Sequence, residues 1–355
     1  MSESENIVVE TAQRMFADLA DAQTIIASKG DGWKAPLWQA LSEAGLTLPW
    51  IAEAHGGSGA DLATGFAVLQ ASGRAALALP LAETMLAGWL LEQAGLASPA
   101  EPMTLAPAQP KGRIALDAEG RLSGRVRNVP FAADVAHIAV LATTATGAPV
   151  IARVATSACQ ITPGKTLAGD ASNGVTFDRV EPLAQAAAPA GFDPTALMLM
   201  GATARSLQIA GALETALDIT GRYANDRVAF EKKLAKFQAI QHALARFAGE
   251  VSAAVSAAGS AAETLADGGV AGDALFLEAA AAKIRCGEAA ETGAAIAHQV
   301  HGAIGFTSEH ILHRYTLRAL AWRDDFGSES HWAAELGSRV AALGADELWP
   351  LVASR

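Results

Sequence analysis

The chain has 355 residues, enough for two or three packed units rather than one core, and 51% of them are apolar. Only 18% are charged, which argues against a disordered chain. The balance of 37 acidic to 26 basic residues leaves a net charge of −11, wrong in sign for a general nucleic-acid binder. The start, Met1-Ser2-Glu3-Ser4-Glu5, is polar and acidic where a secretory signal needs basic then apolar residues, and no unbroken apolar run reaches the ~18 residues of a spanning helix. Cys159 and Cys286 lie far apart without metal spacing and read as small packing residues in a reducing compartment. The expectation is a soluble, cytoplasmic protein bound to neither nucleic acid nor membrane.

Residues 1–100 read as helical. Trp33, Leu37, Leu41 and Leu46 mark one periodic segment, and Ala67 to Leu91 is rich in alanine and leucine. Between them Leu48-Pro49-Trp50 and Glu53-Ala54-His55-Gly56-Gly57-Ser58-Gly59 punctuate the chain as a turn between helices. Over 101–190 the character changes: prolines at 102, 107 and 110 precede short β-like pieces at Arg113–Leu116, Val135–Ala142, Pro149–Val154 and Val175–Val180. Turns such as Asp117-Ala118-Glu119-Gly120 separate them, as in a small β-barrel or sandwich. Helical periodicity returns over 191–355. Ile240, Leu244, Phe247, Val251 and Val255 form a stripe that Asp267-Gly268-Gly269 ends, a second helix runs from about Ala274 to His301, and a third follows a Thr307 or Ser308 cap. Abundant alanine and glycine predict closely packed helices, as in a four-helix bundle. The fold class is therefore mainly α with a central β domain.

Four segments can carry chemistry. The first spans Tyr223 to Gln241 and gathers Arg227, Lys232, Lys233 and Lys236 around Phe230. An arginine fork suits phosphate and an aromatic ring suits a planar ligand, although a solvated helix end explains the same residues. The second, His298-Gln299-Val300-His301-Gly302-Ala303-Ile304-Gly305-Phe306, lets backbone approach a nucleotide, or is an ordinary glycine C-cap. His298, His301, His310 and His313 lack the cysteines or paired carboxylates of typical zinc sites, so no metal is expected. The third runs from Arg318 to Glu329, where Asp324 and Asp325 precede Phe326-Gly327-Ser328; capping or turn formation suits the aspartates better than base chemistry. The fourth, Arg121 to Pro130, alternates as a strand pair does. Dinucleotide fingerprints, phosphate-binding loops and nucleophile elbows are absent from the sequence.

In order and spacing, these segments resemble the acyl-CoA dehydrogenase family along nearly the whole chain. The resemblance is carried by Glu53-x-His55-Gly56-Gly57-x-Gly59, by Leu122-Ser123-Gly124-Arg125 and Gly174-Val175-Thr176-Phe177, and most specifically by two C-terminal motifs. These are Arg227-x-x-Phe230 leading to Phe237-Gln238-Ala239-Ile240-Gln241, and Gln299-x-His301-Gly302-x-x-Gly305-Phe306. The resemblance implies FAD bound across a subunit interface, with Arg227, Phe230, Gln238, Gln299, Gly302 and Ser328 as cofactor contacts, and Ala303 standing where the family has a second glycine. It also implies an acyl-CoA thioester as substrate, an electron-transfer flavoprotein as acceptor, and a homo- or hetero-oligomer.

The departures are as specific. The stretches that line the flavin ring in the family read Met103-Thr104-Leu105-Ala106-Pro107-Ala108 and Val126-Arg127-Asn128-Val129-Pro130 here. The glutamate that removes the Cα proton falls at Phe326, and the alternative position falls near Gly201, so neither is acidic. The pattern is similar to that of the smaller, base-lacking subunits of heteromeric acyl-CoA dehydrogenases. Two alternatives stay open: a self-sufficient homo-oligomer using Asp325 or Asp324 as base, and a flavin monooxygenase or non-catalytic scaffold on the same fold.

Overall fold

The computed structural model describes residues 3–28, 30–269 and 272–353. Five helices come first: α1 (Glu3–Leu19), α2 (Ala22–Ser28), α3 (Lys34–Glu43), α4 (Leu62–Arg74) and α5 (Leu81–Gln93). The spacing of Leu37 and Leu41 puts both on one face of α3, and both are fully buried. Asp61 caps α4 by accepting from the Thr64 amide at 2.7 Å. Helix α5 is buried all round from Leu81 to Leu91 and apolar there except for Glu83 and Thr84. Between α3 and α4 the glycine-rich segment makes a turn, with Glu53–His55 as one 3-10 turn and Gly56 at φ 97°.

Eight strands follow: β1 (Met103–Ala106), β2 (Ile114–Leu116), β3 (Leu122–Pro130), β4 (His137–Thr144), β5 (Pro149–Ala155), β6 (Gln160–Thr162), β7 (Ser172–Val180) and β8 (Ala184–Ala187). They form one sheet in the order β6-β7-β3-β2-β4-β5-β8, with β1 and β2 sharing an edge of β4, both parallel to it. The two-residue period divides its faces. Ile138, Val140, Ala142, Ala152 and Val154 pack with Val175 and Phe177 inside the sheet, whereas Met103, Leu105, Ala139, Leu141 and Ile151 join the helical core.

The rest is helical apart from one hairpin. Helix α6 (Pro194–Asp226) runs 33 residues, started by Asp193, whose carboxylate accepts from the Thr195 and Ala196 amides with Pro194 at the first helical position. By length and composition α6 can cross a membrane, but its apolar window lies wholly inside the fold. The hairpin β9 (Val228–Ala229) and β10 (Lys232–Lys233) leads to α7 (Gln238–Gly268), α8 (Asp273–His301), α9 (Leu312–Trp322), α10 (Glu329–Leu343) and α11 (Leu348–Ala353). Small residues let these helices approach: Gly73 of α4 meets the Gln208 backbone of α6, and Gly211 of α6 meets the Gln70 backbone, leaving no room for a Cβ at either. Helices α1 to α5 and the bundle thus share a single hydrophobic core.

Two sequence expectations differ from the structure. The inward face of α7 is Phe247, Val251, Ala254, Ala258, Ala261 and Leu265, while Ile240, Leu244 and Val255 are only half-buried. Alanine carries the seam because the backbones are close. Helix α9 begins after Ile311, and neither Thr307 nor Ser308 caps it. Thr307 Oγ1 donates to the Ile304 carbonyl, and it is His310 Nδ1 that accepts from the Leu312 amide, at 3.2 Å.

Candidate functional site

Two of the sequence motifs meet at one end of the bundle. Arg227 caps the C-terminus of α6, its amide donating to the Tyr223 carbonyl at 2.8 Å, and the β9–β10 hairpin follows at once. Its two central residues, Phe230 and Glu231, hold φ of 51° and 63°, the left-handed pair a two-residue hairpin turn demands. Non-glycine residues tolerate that geometry at a cost of about 1–2 kcal/mol each. It places Phe230 at the tip, 89% exposed, with its ring edge-on to Phe237 and the centroids 6.4 Å apart. Arg227, Lys232, Lys233 and Gln238 are exposed around it, and within the described residues the Arg227 guanidinium has no hydrogen-bond or ion-pair partner.

The second motif ends α8. Gln299 is exposed, Gly302 turns the chain at φ 65°, and Phe306, 73% exposed, stacks on His298 at 4.4 Å. Ala294, His298, Gln299, Gly302, Ala303 and Phe306 line an open groove of about 540 Å³, with the Glu291 carboxylate at its rim. Tyr223, one turn before Arg227, stacks on His301, two residues past Gln299, so both motifs face outward from the same end. His298, His301 and His310 cluster beneath them. Burial pushes the pKa of all three below the usual imidazole range. Among the described residues no group of three or more histidines, cysteines or carboxylates is arranged for a metal ion.

The third motif lies elsewhere. Ser328 caps α10, its Oγ accepting from the His331 amide at 3.3 Å. Glu329 beside it abuts Gly287, twelve residues or about 18 Å along α8 from Gln299. The structure therefore places Ser328 with Phe326, not with the Arg227 and Gln299 group.

Phe326 is fully buried, in the left-handed region at φ 55°. Its ring fills the space above Gly201, where a Cβ would overlap it. The turn around it is bonded on every side. The Phe326 amide donates to the Ala108 carbonyl at 3.0 Å, and the Phe326 carbonyl accepts from Trp332 Nε1 at 2.9 Å. Lys283 Nζ donates to the Arg323 and Gly327 carbonyls at 2.6 and 2.8 Å, and Gln109 Nε2 donates to the Asp324 carbonyl.

The two aspartates part company here. Asp324 is exposed. Asp325 is buried and accepts from Arg205 Nε at 3.0 Å, and Arg205 also pairs with buried Glu83. Burial lifts the Asp325 carboxyl above its ordinary range, although Arg205 pulls the other way, and burial draws the Lys283 ammonium down to about 7. Both aspartates lie in the turn that their sequence context suggests, but the Asp325 side chain is in addition the counter-ion of a buried arginine. Glu83, Arg205 and Lys283 complete this cluster and are not among the residues expected from the sequence. Their signal was present: each is a charge embedded in an apolar helical stretch, a position charged residues avoid unless paired.

A helical layer, an eight-stranded sheet and a bundle with an outward-facing arginine and phenylalanine hairpin define the acyl-CoA dehydrogenase fold. Residues 2–98 match the family model for the acyl-CoA dehydrogenase N-terminal domain and residues 195–329 that for the C-terminal domain. The chain is 30% identical over 320 residues to acyl-CoA dehydrogenase IpdE2 of Mycobacterium tuberculosis, covering 89% of this chain and 91% of that protein. Among solved structures, a variant of the Tcur3481-Tcur3483 steroid ACAD superposes with a TM-score of 0.85 at 26% identity, covering 97% of this chain and 99% of that one. The ChsE4-ChsE5 complex of Mycobacterium tuberculosis has a chain of the same fold, with a TM-score of 0.85 at 22% identity over 96% of this chain and 98% of that one. The protein belongs to the acyl-CoA dehydrogenase family of oxidoreductases.

Proposed function

We propose that this chain is the base-lacking subunit of a heteromeric acyl-CoA dehydrogenase, and that it holds the pyrophosphate and adenosine of FAD seated mainly on a base-bearing partner. The observation that carries the reading is Phe326. A buried phenyl ring stands where active relatives by resemblance place glutamate, and the nearest carboxylate, Asp325, is committed to Arg205. Neither can take a proton from the carbon next to a thioester, a step that requires a positioned base.

FAD, when bound, supplies the hydride acceptor that turns an acyl thioester into its 2-enoyl form. The residues here fit its polar half. Arg227 offers an unpartnered guanidinium for the pyrophosphate, Phe230 an exposed ring for a planar face, and Gln299 a side-chain amide beside a glycine turn. Gln238 starts α7 at the end of the hairpin segment, whereas Ser328 caps α10 beside Phe326, away from this group. Glu231 and Glu291 place two carboxylates nearby, so the arginine and lysines must outweigh them.

The occurrence of this fold in the ChsE4-ChsE5 complex supports a two-subunit assembly, and likeness to a steroid ACAD makes a steroid-derived thioester the first substrate to try. Reoxidation by an electron-transfer flavoprotein follows from the family resemblance. The test is purification alone and together with a base-bearing homologue, scoring flavin by visible absorbance and its bleaching by acyl-CoA thioesters. The complex should retain and bleach flavin where the single chain does not. Robust turnover by the isolated chain would overturn the proposal in favour of a self-sufficient enzyme.

A further inference from the structure

The two halves of the outward-facing cradle sit on different helices, and one aromatic stack joins them. Tyr223 lies in the last turn of α6, four residues before Arg227; His301 is the last residue of α8, two residues after Gln299. Their rings stack at 4.2 Å and 25°, and Tyr223 Oη donates to the His301 carbonyl at 3.3 Å. His301 is 4% exposed, and its own Nδ1–H donates to the Ala297 carbonyl at 2.8 Å, which fixes the ring against α8. His310 closes the other side, with its ring 4.7 Å from His301 and 6.1 Å from Tyr223.

A dinucleotide held at two points is bound more tightly when the two grips stand at the right separation beforehand, because otherwise binding must first order them. Resting on the cofactor reading above, we propose that Tyr223 and His301 are positioning residues, setting the separation between the Arg227–Phe230 hairpin and the Gln299–Gly302 turn. Neither needs to touch the cofactor. Tyr223 spends its hydroxyl on a backbone carbonyl and its ring face on His301, and His301 is buried.

The experiment is FAD titration of the assembled enzyme, read by quenching of flavin fluorescence, with thermal unfolding measured alongside. Tyr223→Leu, which removes the stack, should weaken FAD binding about tenfold, equivalent to roughly 1.4 kcal/mol. Tyr223→Phe keeps the rings together and should cost less than about threefold, the share of one surface-proximal hydrogen bond. Positioning also predicts non-additivity. Gln299→Ala should weaken binding in the otherwise native chain but add little in the Tyr223→Leu background. Should Tyr223→Leu fail to assemble, His301→Gln removes the same stack from the other side and carries the same expectation. If Arg227→Ala and Gln299→Ala leave FAD affinity unchanged, the cofactor reading falls and this inference with it. If they weaken it, but Tyr223→Leu has no effect or is additive with Gln299→Ala, only the positioning role is overturned.

Discussion

The phenyl ring of Phe326 occupies the volume that any side chain on Gly201 would need. These are the two positions where the family resemblance looks for a catalytic glutamate, and here each explains the other's residue. A glycine on α6 makes room for the ring, and the ring leaves no room for a carboxylate on α6. The two positions pack together as core, the arrangement expected if this chain lacks the base.

That complementarity has a measurable energetic form. Phe326→Ala should destabilise the chain by about 3–5 kcal/mol through cavity formation. Gly201→Ala should cost about 1–3 kcal/mol through overpacking. Combined, the two should cost well under their sum, because the added methyl enters space that the ring has vacated. Urea unfolding of the four proteins checks this, and strict additivity would show that the two residues do not compete for one space.

Asp325 separates the subunit reading from the self-sufficient one. Its carboxylate and that of Glu83 flank the buried Arg205 guanidinium, and removing one partner of such a pair typically costs about 3–5 kcal/mol. Asp325→Asn keeps the shape and one acceptor oxygen, so the low end of that range is expected. Turnover per assembled, flavin-loaded enzyme should stay within about twofold, far from the ~10²–10⁴ that loss of a general base costs. A variant of native stability with abolished turnover would make Asp325 the base.

Much of this was legible in the sequence where a residue's role is set by its neighbours along the chain. The break at Gly268-Gly269 and the extent of α8 follow from local pattern. The strands β1, β6 and β8 did not show. Met103–Ala106 sits between prolines and is buried at all four positions, so no alternation marks it, while β6 is three residues long and β8 is mostly alanine. The charged cluster was the largest omission. Glu83, Arg205 and Asp325 are 242 residues apart from first to last, and only tertiary packing brings them together. The outward-facing motifs were legible as residues, but their convergence on one end of the bundle, where Tyr223 stacks on His301, is a matter of tertiary packing that no local pattern announces.

The histidine cluster sets an acid limit on stability. His298, His301 and His310 all have folded-state pKa values below the ordinary imidazole value of about 6.5, chiefly because burial disfavours the charged ring. As pH falls through 6.5 the unfolded chain takes up protons that the native state refuses. The contribution is therefore complete above about pH 6.5 and is lost progressively below it. The geometry agrees: His310 Nδ1 accepts from the Leu312 amide, and protonation would destroy that bond. Unfolding midpoints should fall between pH 7.5 and 5, and His310→Asn, which keeps an acceptor without titrating, should flatten the slope. An unchanged slope in that variant would move the acid sensitivity elsewhere.

The last prediction concerns the hairpin, where structure and proposed function give opposite expectations for stability and for cofactor binding. Phe230 is 89% exposed with only an edge-on aromatic neighbour in Phe237, and the Arg227 guanidinium has no partner among the described residues, so a substitution at either removes little packing. Surface substitutions of this kind usually change stability by no more than about 0.5 kcal/mol. Phe230→Ala even leaves a backbone of φ 51° that suits the smaller residue no worse. If the hairpin reaches across to FAD on a partner, however, Arg227→Ala removes a charge-assisted contact worth about 1.5–3 kcal/mol. FAD retention by the assembled enzyme should then drop about tenfold or more. Phe230→Ala should cost several-fold through lost contact with a planar face. Unfolding midpoints and flavin content measured on the same preparations decide the matter. Native-like midpoints with depleted flavin support the in-trans site. Full flavin occupancy in both variants would leave the hairpin without a cofactor role, and an unfolding midpoint lowered by several degrees would mean that its exposed residues serve the assembly itself.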